Sequence, residues 1–159
     1  MEETKKDSCT IYYESWQMQC CGTPFSVGDI VKWGCVKSPK KQTASGKVLN
    51  FYEEHHETPT YTVIGKVKRI IADYCDYQAG TERYDQQTGT MHCDNVQDFE
   101  EEVQFADGWN VEEPSDDSIT RSFGGYIVEL EDVTVRRSLV SPKTAKNVKN
   151  IKILIKYGH

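Results

Sequence analysis

Six cysteines and four histidines have the widest chemical reach in this chain. The adjacent pair Cys20 and Cys21, with His92 and Cys93 further on, offers thiolates and an imidazole of the kind that bind zinc. The spacing departs from a standard finger, in which Cys-x₂₋₄-Cys lets one tight turn aim two sulfurs at one ion, whereas neighbouring cysteines ordinarily diverge. A site of Cys20, Cys21, His92 and Cys93 therefore needs the fold to gather distant segments; otherwise the thiols act as small hydrophobes. His55 and His56, flanked by Glu53, Glu54 and Glu57, form a second set, read either as nitrogen and oxygen donors for a transition metal or as a solvated loop. A thiol nucleophile requires a base within reach and a lowered pKa. Cys20, Cys21 or Cys93 with His55, His56 or His92 are the candidates, and no local sequence matches a nucleophile turn.

A different chemistry is suggested by rings beside cations. Trp16 and Trp33, with Tyr12 and Tyr13, could stack bases or another flat ligand, and Lys32, Lys66 and Lys68 lie near the aromatic segments. The competing use of the same rings is to fill the inside of a small barrel.

Charge bears on that choice. The chain is −6 overall, and the charge is unevenly spread. Residues 1–72 carry ten Lys/Arg and eight Asp/Glu, residues 73–120 one and fourteen, and residues 121–159 eight and three. An acidic surface repels phosphate and forgoes the counterion release that drives non-specific nucleic-acid affinity, so general nucleic-acid binding is disfavoured. The window Asp94–Asp117 holds ten acids and no base, without the Asp-x-Asp-x-Asp-Gly order of a calcium loop.

The elements that must position these residues read as strands. Thr10–Trp16 is β-rich, and Cys20–Pro24 forms a compact turn region. In Asp29–Val36, Val31, Trp33 and Cys35 alternate with Lys32 and Gly34, the period of a half-buried strand. Val48–Tyr52 and the long run Tyr61–Tyr74 follow, with Gly65 marking a bend. Periodicity fades from Asp76 to Ser122, read as an acidic insertion or loop region in which Asp98–Phe105 could form a helical turn. Tyr126, Val128 and Leu130 resume the alternation, Glu131-Asp132 breaks it, and Val133 with Val135 restores it. Asn150–Tyr157 reads as a terminal strand with lysines on its wet face.

Strand signals with weak helix signals and no βαβ rhythm predict an all-β chain. The expectation is a single domain over 1–159, a small closed or partly open β-barrel of the oligonucleotide-binding or SH3-like kind, with 76–122 as its acidic insertion. Closure is favoured because it removes sheet edges that would otherwise aggregate. No apolar run is long enough to cross a bilayer, and Met1–Asp7 lacks the apolar stretch of a secretory signal, so a soluble, cytoplasmic protein without membrane partners is expected. In that setting Cys9, Cys20, Cys21, Cys35, Cys75 and Cys93 are free thiols, since three Trp, nine Tyr and five Phe can build a core without staples.

The run Trp16-Gln17-Met18-Gln19-Cys20-Cys21-Gly22-Thr23-Pro24-Phe25-Ser26-Val27-Gly28-Asp29-Ile30-Val31-Lys32-Trp33 resembles the signature of a family of uncharacterised bacterial proteins, a domain of unknown function. The resemblance implies bacterial origin and a soluble domain, and no activity. The residues themselves favour a non-catalytic binding or interaction module whose partner is another protein or a second copy of the chain. No cofactor is expected beyond a candidate zinc. The alternatives are a small metal- or thiol-dependent enzyme and a single-strand nucleic-acid binder.

Overall fold

The computed structural model describes residues 2–38, 43, 46–110, 113–114 and 116–137. Along these residues run β1 (Glu2–Glu14), α1 (Ser15–Cys21), β2 (Phe25–Ser26), β3 (Ile30–Lys37), β4 (Phe51–Glu53), β5 (Tyr61–Gln78), β6 (Arg83–Asp85), β7 (Thr90–His92), β8 (Gln97–Val103), β9 (Phe105–Ala106) and β10 (Ile119–Arg137). β10, β1, β4, β3 and β5 pair in that order, and β5 pairs back to β10, so the sheet closes into a five-stranded barrel. Every pairing in the ring is antiparallel except β1 with β4, which run parallel through Ile11↔Phe51 and Tyr12↔Tyr52.

Side chains alternate across a strand, so a closed sheet sorts them into inside and outside. Cys9, Ile11 and Tyr13 of β1 point inward, as do Val63, Val67, Ile70 and Tyr74 of β5. On β10, Tyr126, Val128 and Leu130 are fully buried; Asp132, at φ 52, sits within a register shift against β5, after which Val133 and Val135 face inward again. The break at Glu131-Asp132 is thus a bulge, the device by which a strand bends around a barrel. Each fully buried Val, Ile or Leu contributes on the order of 1.5–3 kcal/mol. A second, smaller cluster, Leu49, Ile71 and Ile127 with Tyr12 and Tyr52, packs separately from this core.

Two local expectations are corrected. The strand predicted to reach Trp16 ends at Glu14, and α1 follows, burying Gln17 and Met18. Gly22 stops the helix at a crossing where a Cβ would stand 2.7 Å from both Met18 Cα and the Tyr13 hydroxyl, so only glycine fits. The helical turn predicted at Asp98–Phe105 is strand β8 as far as Val103 and β9 from Phe105. Phe99 and Val103, four residues apart, share a face in either conformation, and pairing decides: β3 leaves the edge of β5 after Lys66, and β8 takes that edge from Ile70 to Asp76. Arg69 bonds Glu102 at 3.0 Å and Lys47 meets Glu100 at 3.4 Å, relieving the like charge of this strand. The terminal strand expected at Asn150–Tyr157 lies outside the described residues.

Candidate functional site

The parallel pair β1–β4 brings two remote segments together. Because both strands run the same way in register, α1 after β1 and Glu54, His55 and His56 after β4 leave the barrel at the same end. There the Cys21 sulfur stands 3.0 Å from His55 Nε2 and 3.4 Å from His56 Nε2. The donor atoms of Cys20, Cys21 and His56 all lie within 4.8 Å of one another. The rings of His55 and His56 are 4.4 Å apart by centroid, and Trp16 covers His56 at 4.9 Å.

Buried polar groups hold the imidazoles from behind. Glu53, 3% exposed, meets His55 Nδ1 at 2.7 Å and is also bonded to the Tyr13 hydroxyl. Gln17, fully buried in α1, accepts from His56 Nδ1 at 2.6 Å through Oε1 and donates from Nε2 to Glu54 Oε2 at 2.6 Å. Burial pushes the Glu53 carboxyl upward, against the pull of its His55 and Tyr13 bonds. Desolvation, then the Cys20 thiol and the Glu53 carboxylate, push the Cys21 thiol upward as well.

The structure does not assemble the group Cys20, Cys21, His92 and Cys93. His92 ends β7, opposite Arg83 of a two-stranded hairpin, with Asp85 at 4.0 Å, while Cys93 follows it beside Cys75. The cysteine pair meets instead the histidine pair, an encounter the sequence offers among its thiol–base candidates and not as a metal set. The residue that sequence reasoning missed is Gln17, whose signal is faint, a polar side chain inside a run that packs; Glu53, named there as an oxygen donor beside the histidines, instead holds His55 Nδ1 from behind. None of the six cysteines is bridged.

A cleft of about 580 Å³ adjoins the cluster, with Cys21 and His55 on its wall and Tyr13, Phe25 and Trp33 among its lining rings. These rings pack edge to face, Trp33 at 5.1 Å from Tyr13 and 4.9 Å from Phe25. Of the ligand-binding candidates, Trp33 and Lys32 line this cleft, and Trp16 belongs to the cluster beside it. Lys66 and Lys68 are exposed on β5, flanking the inward Val67. Tyr12 stacks on Tyr52 in the smaller cluster and donates to Asp73 at 2.9 Å, so the four aromatic residues do not form one face. No helix among the described residues is long and apolar enough to cross a membrane.

A closed five-stranded barrel with a sulfur–imidazole cluster and a ring-lined cleft at one end defines the class of protein. Residues 7–132 match the model of a family of unknown function (DUF6578), and the chain belongs to that family. The matched span contains the whole Trp16–Trp33 run and every residue of the cluster. No curated protein and no solved structure matches the chain.

Proposed function

We propose that this protein is a non-catalytic binding module whose cleft takes an extended peptide segment of a protein partner. The observation that carries the reading is an uncovered strand edge. β4 covers β3 only from Cys35 to Lys37, with one further bond from Glu54 N to Gly34 O; from Ile30 to Trp33 no described strand lies on that edge. This stretch lines the cleft, and a peptide laid along it would gain main-chain bonds there and seat alternate side chains against the rings. Ile30, 73% exposed, supplies apolar contact at the mouth. A bacterial cytoplasm belongs to the same reading, since it keeps six thiols reduced.

The test is a library of extended octapeptides scored by fluorescence polarisation. Binding should weaken at least tenfold when backbone amides of a bound peptide are N-methylated at alternate positions, and Trp33→Ala should weaken it comparably. Affinity indifferent to N-methylation refutes strand addition. A thiol enzyme is the second reading, favoured by the chain Cys21–His55–Glu53. It is less well supported, because the thiol is pushed up rather than down and Cys21 closes a helix at its C-terminal end, where the dipole disfavours a thiolate. Single-strand nucleic-acid binding is weaker still, because the chain carries a net charge of −6 and Lys66 and Lys68 are not among the residues that line the cleft.

A further inference from the structure

We propose that Cys20, Cys21, His55 and His56 together bind one zinc ion, which ties α1 to the segment following β4. The inference is independent of what the cleft binds. The two imidazoles have their ring hydrogens fixed by their neighbours. Gln17 Nε2 is committed to Glu54, so its amide is oriented with Oε1 toward His56, and Oε1 can only accept. His56 Nδ1 must therefore carry the hydrogen. At His55 the Glu53 carboxylate accepts in the same way from Nδ1. In each neutral ring the hydrogen on Nδ1 leaves a bare lone pair on Nε2, and both Nε2 atoms face the Cys21 sulfur at 3.0 and 3.4 Å. One S–H can satisfy one of these lone pairs, and a thiolate can satisfy neither. A cation among Cys20, Cys21 and His56, whose donor atoms lie within 4.8 Å of one another, with His55 brought in by its 3.0 Å approach to Cys21, satisfies both nitrogens and both sulfurs at once.

The donor set and its support select the ion. Two thiolates with two imidazoles in tetrahedral array suit zinc. Bonds of about 2.3 Å to sulfur and about 2.0 Å to nitrogen place neighbouring donors about 3.3 to 3.8 Å apart. The distances from Cys21 to the two rings lie within a few tenths of an ångström of that range, and the Cys20 sulfur lies within 4.8 Å of Cys21 and His56. Histidines that ligate zinc characteristically donate their other ring N–H to a carboxylate or carbonyl, which fixes ring and tautomer; Glu53 and Gln17 stand in those places. Four protein donors close the coordination sphere, so the ion is a structural tie and leaves no position for a reactive water. It joins residues 34 to 36 positions apart in the chain and makes a rigid wall for the neighbouring cleft.

The experiment uses the full chain purified under reducing conditions without added metal. Elemental analysis should find about one equivalent of zinc, and X-ray absorption should show two sulfur and two nitrogen neighbours near the distances above. Cobalt exchanged into the site should give tetrahedral d–d bands with thiolate charge transfer. Cys21→Ser and His56→Ala should lose the metal, Gln17→Ala should bind about 10- to 100-fold more weakly, and the double variant His92→Ala, Cys93→Ser should keep it. Should the ligand variants fail to fold, the wild-type absorption spectra decide. The proposal is overturned by less than about a tenth of an equivalent together with no cobalt–thiolate band on titration of reduced protein, by a coordination shell without sulfur, or by loss of metal in the His92/Cys93 variant alone. Those outcomes leave the peptide-binding test of the cleft unaffected.

Discussion

Gly108 is where the acidic stretch docks onto the barrel end. Its N–H donates to the Tyr126 hydroxyl at 2.9 Å, its carbonyl accepts from Gln19 Nε2 at 2.8 Å, and its φ is +90. A Cβ at this position would stand 2.6 Å from Met18 Cγ and 3.1 Å from Met18 Cβ, against a side chain only 2% exposed. Gly108→Ala therefore incurs two costs: roughly 1–2 kcal/mol for a left-handed dihedral on an L-residue and roughly 1–3 kcal/mol for overpacking. Together these reach about 2–5 kcal/mol, a sizeable part of the ~5–15 kcal/mol that holds a domain folded. At about 2–4 °C per kcal/mol for a chain of this size, Tm should fall by roughly 4–20 °C. Gly80 is the control, with φ +79 and nothing within 4 Å of where a Cβ would stand. Gly80→Ala should lose only the dihedral contribution, about 1–2 kcal/mol and a few degrees. Scanning calorimetry with urea unfolding separates the two variants, and Met18→Ala added to Gly108→Ala should recover stability as a positive coupling. Equal Tm shifts for Gly80→Ala and Gly108→Ala refute the reasoning, because they would mean that α1 does not pack on Gly108.

Arg121 grips Asp76 through two bonds, 2.7 Å from Nε and 2.8 Å from Nη2, and holds the Asp76 carboxyl below its usual range. With the folded value below the unfolded one, the pair stabilises fully above the ordinary aspartate range of about 3.9 and loses its effect as pH falls through the folded value. The difference in urea midpoint between wild type and Asp76→Asn should thus be constant near neutrality and shrink in acid; a pH-independent difference refutes it. Burial pushes the Cys9 thiol up to about 11, and burial with the nearby Glu53 raises the Cys35 thiol well above its ordinary range. With a chelator present at mildly alkaline pH, an aromatic disulfide reagent should modify Cys20 and Cys21 first and reach Cys9 and Cys35 only at the rate of global unfolding. Mass mapping that finds Cys9 labelled early contradicts this burial.

The long strands were legible because each turns one face inward: Val31, Trp33 and Cys35 on β3, and Tyr126, Val128 and Leu130 on β10, announce a period of two without help from the rest of the chain. The seven residues of α1 are too few to display a helical period, and its burial of Gln17 and Met18 is a tertiary fact. The first half of β1 carried no signal, since Glu2 to Ser8 is exposed throughout and is a strand because it pairs with Glu131 to Arg137. Likewise β8 has the spacing of a helix and the conformation its neighbour on the sheet imposes.

Residue types alone determined that this protein is a barrel-forming all-β chain with thiols and imidazoles to spare, because side-chain alternation and donor chemistry are local properties. Which cysteine meets which histidine was decided only by the parallel contact of β1 with β4, an alignment of two backbone segments about forty residues apart whose register is set by closure of the whole ring. That contact gathers Cys20 and Cys21 with His55 and His56 and leaves His92 on its hairpin, and no local pattern encodes it.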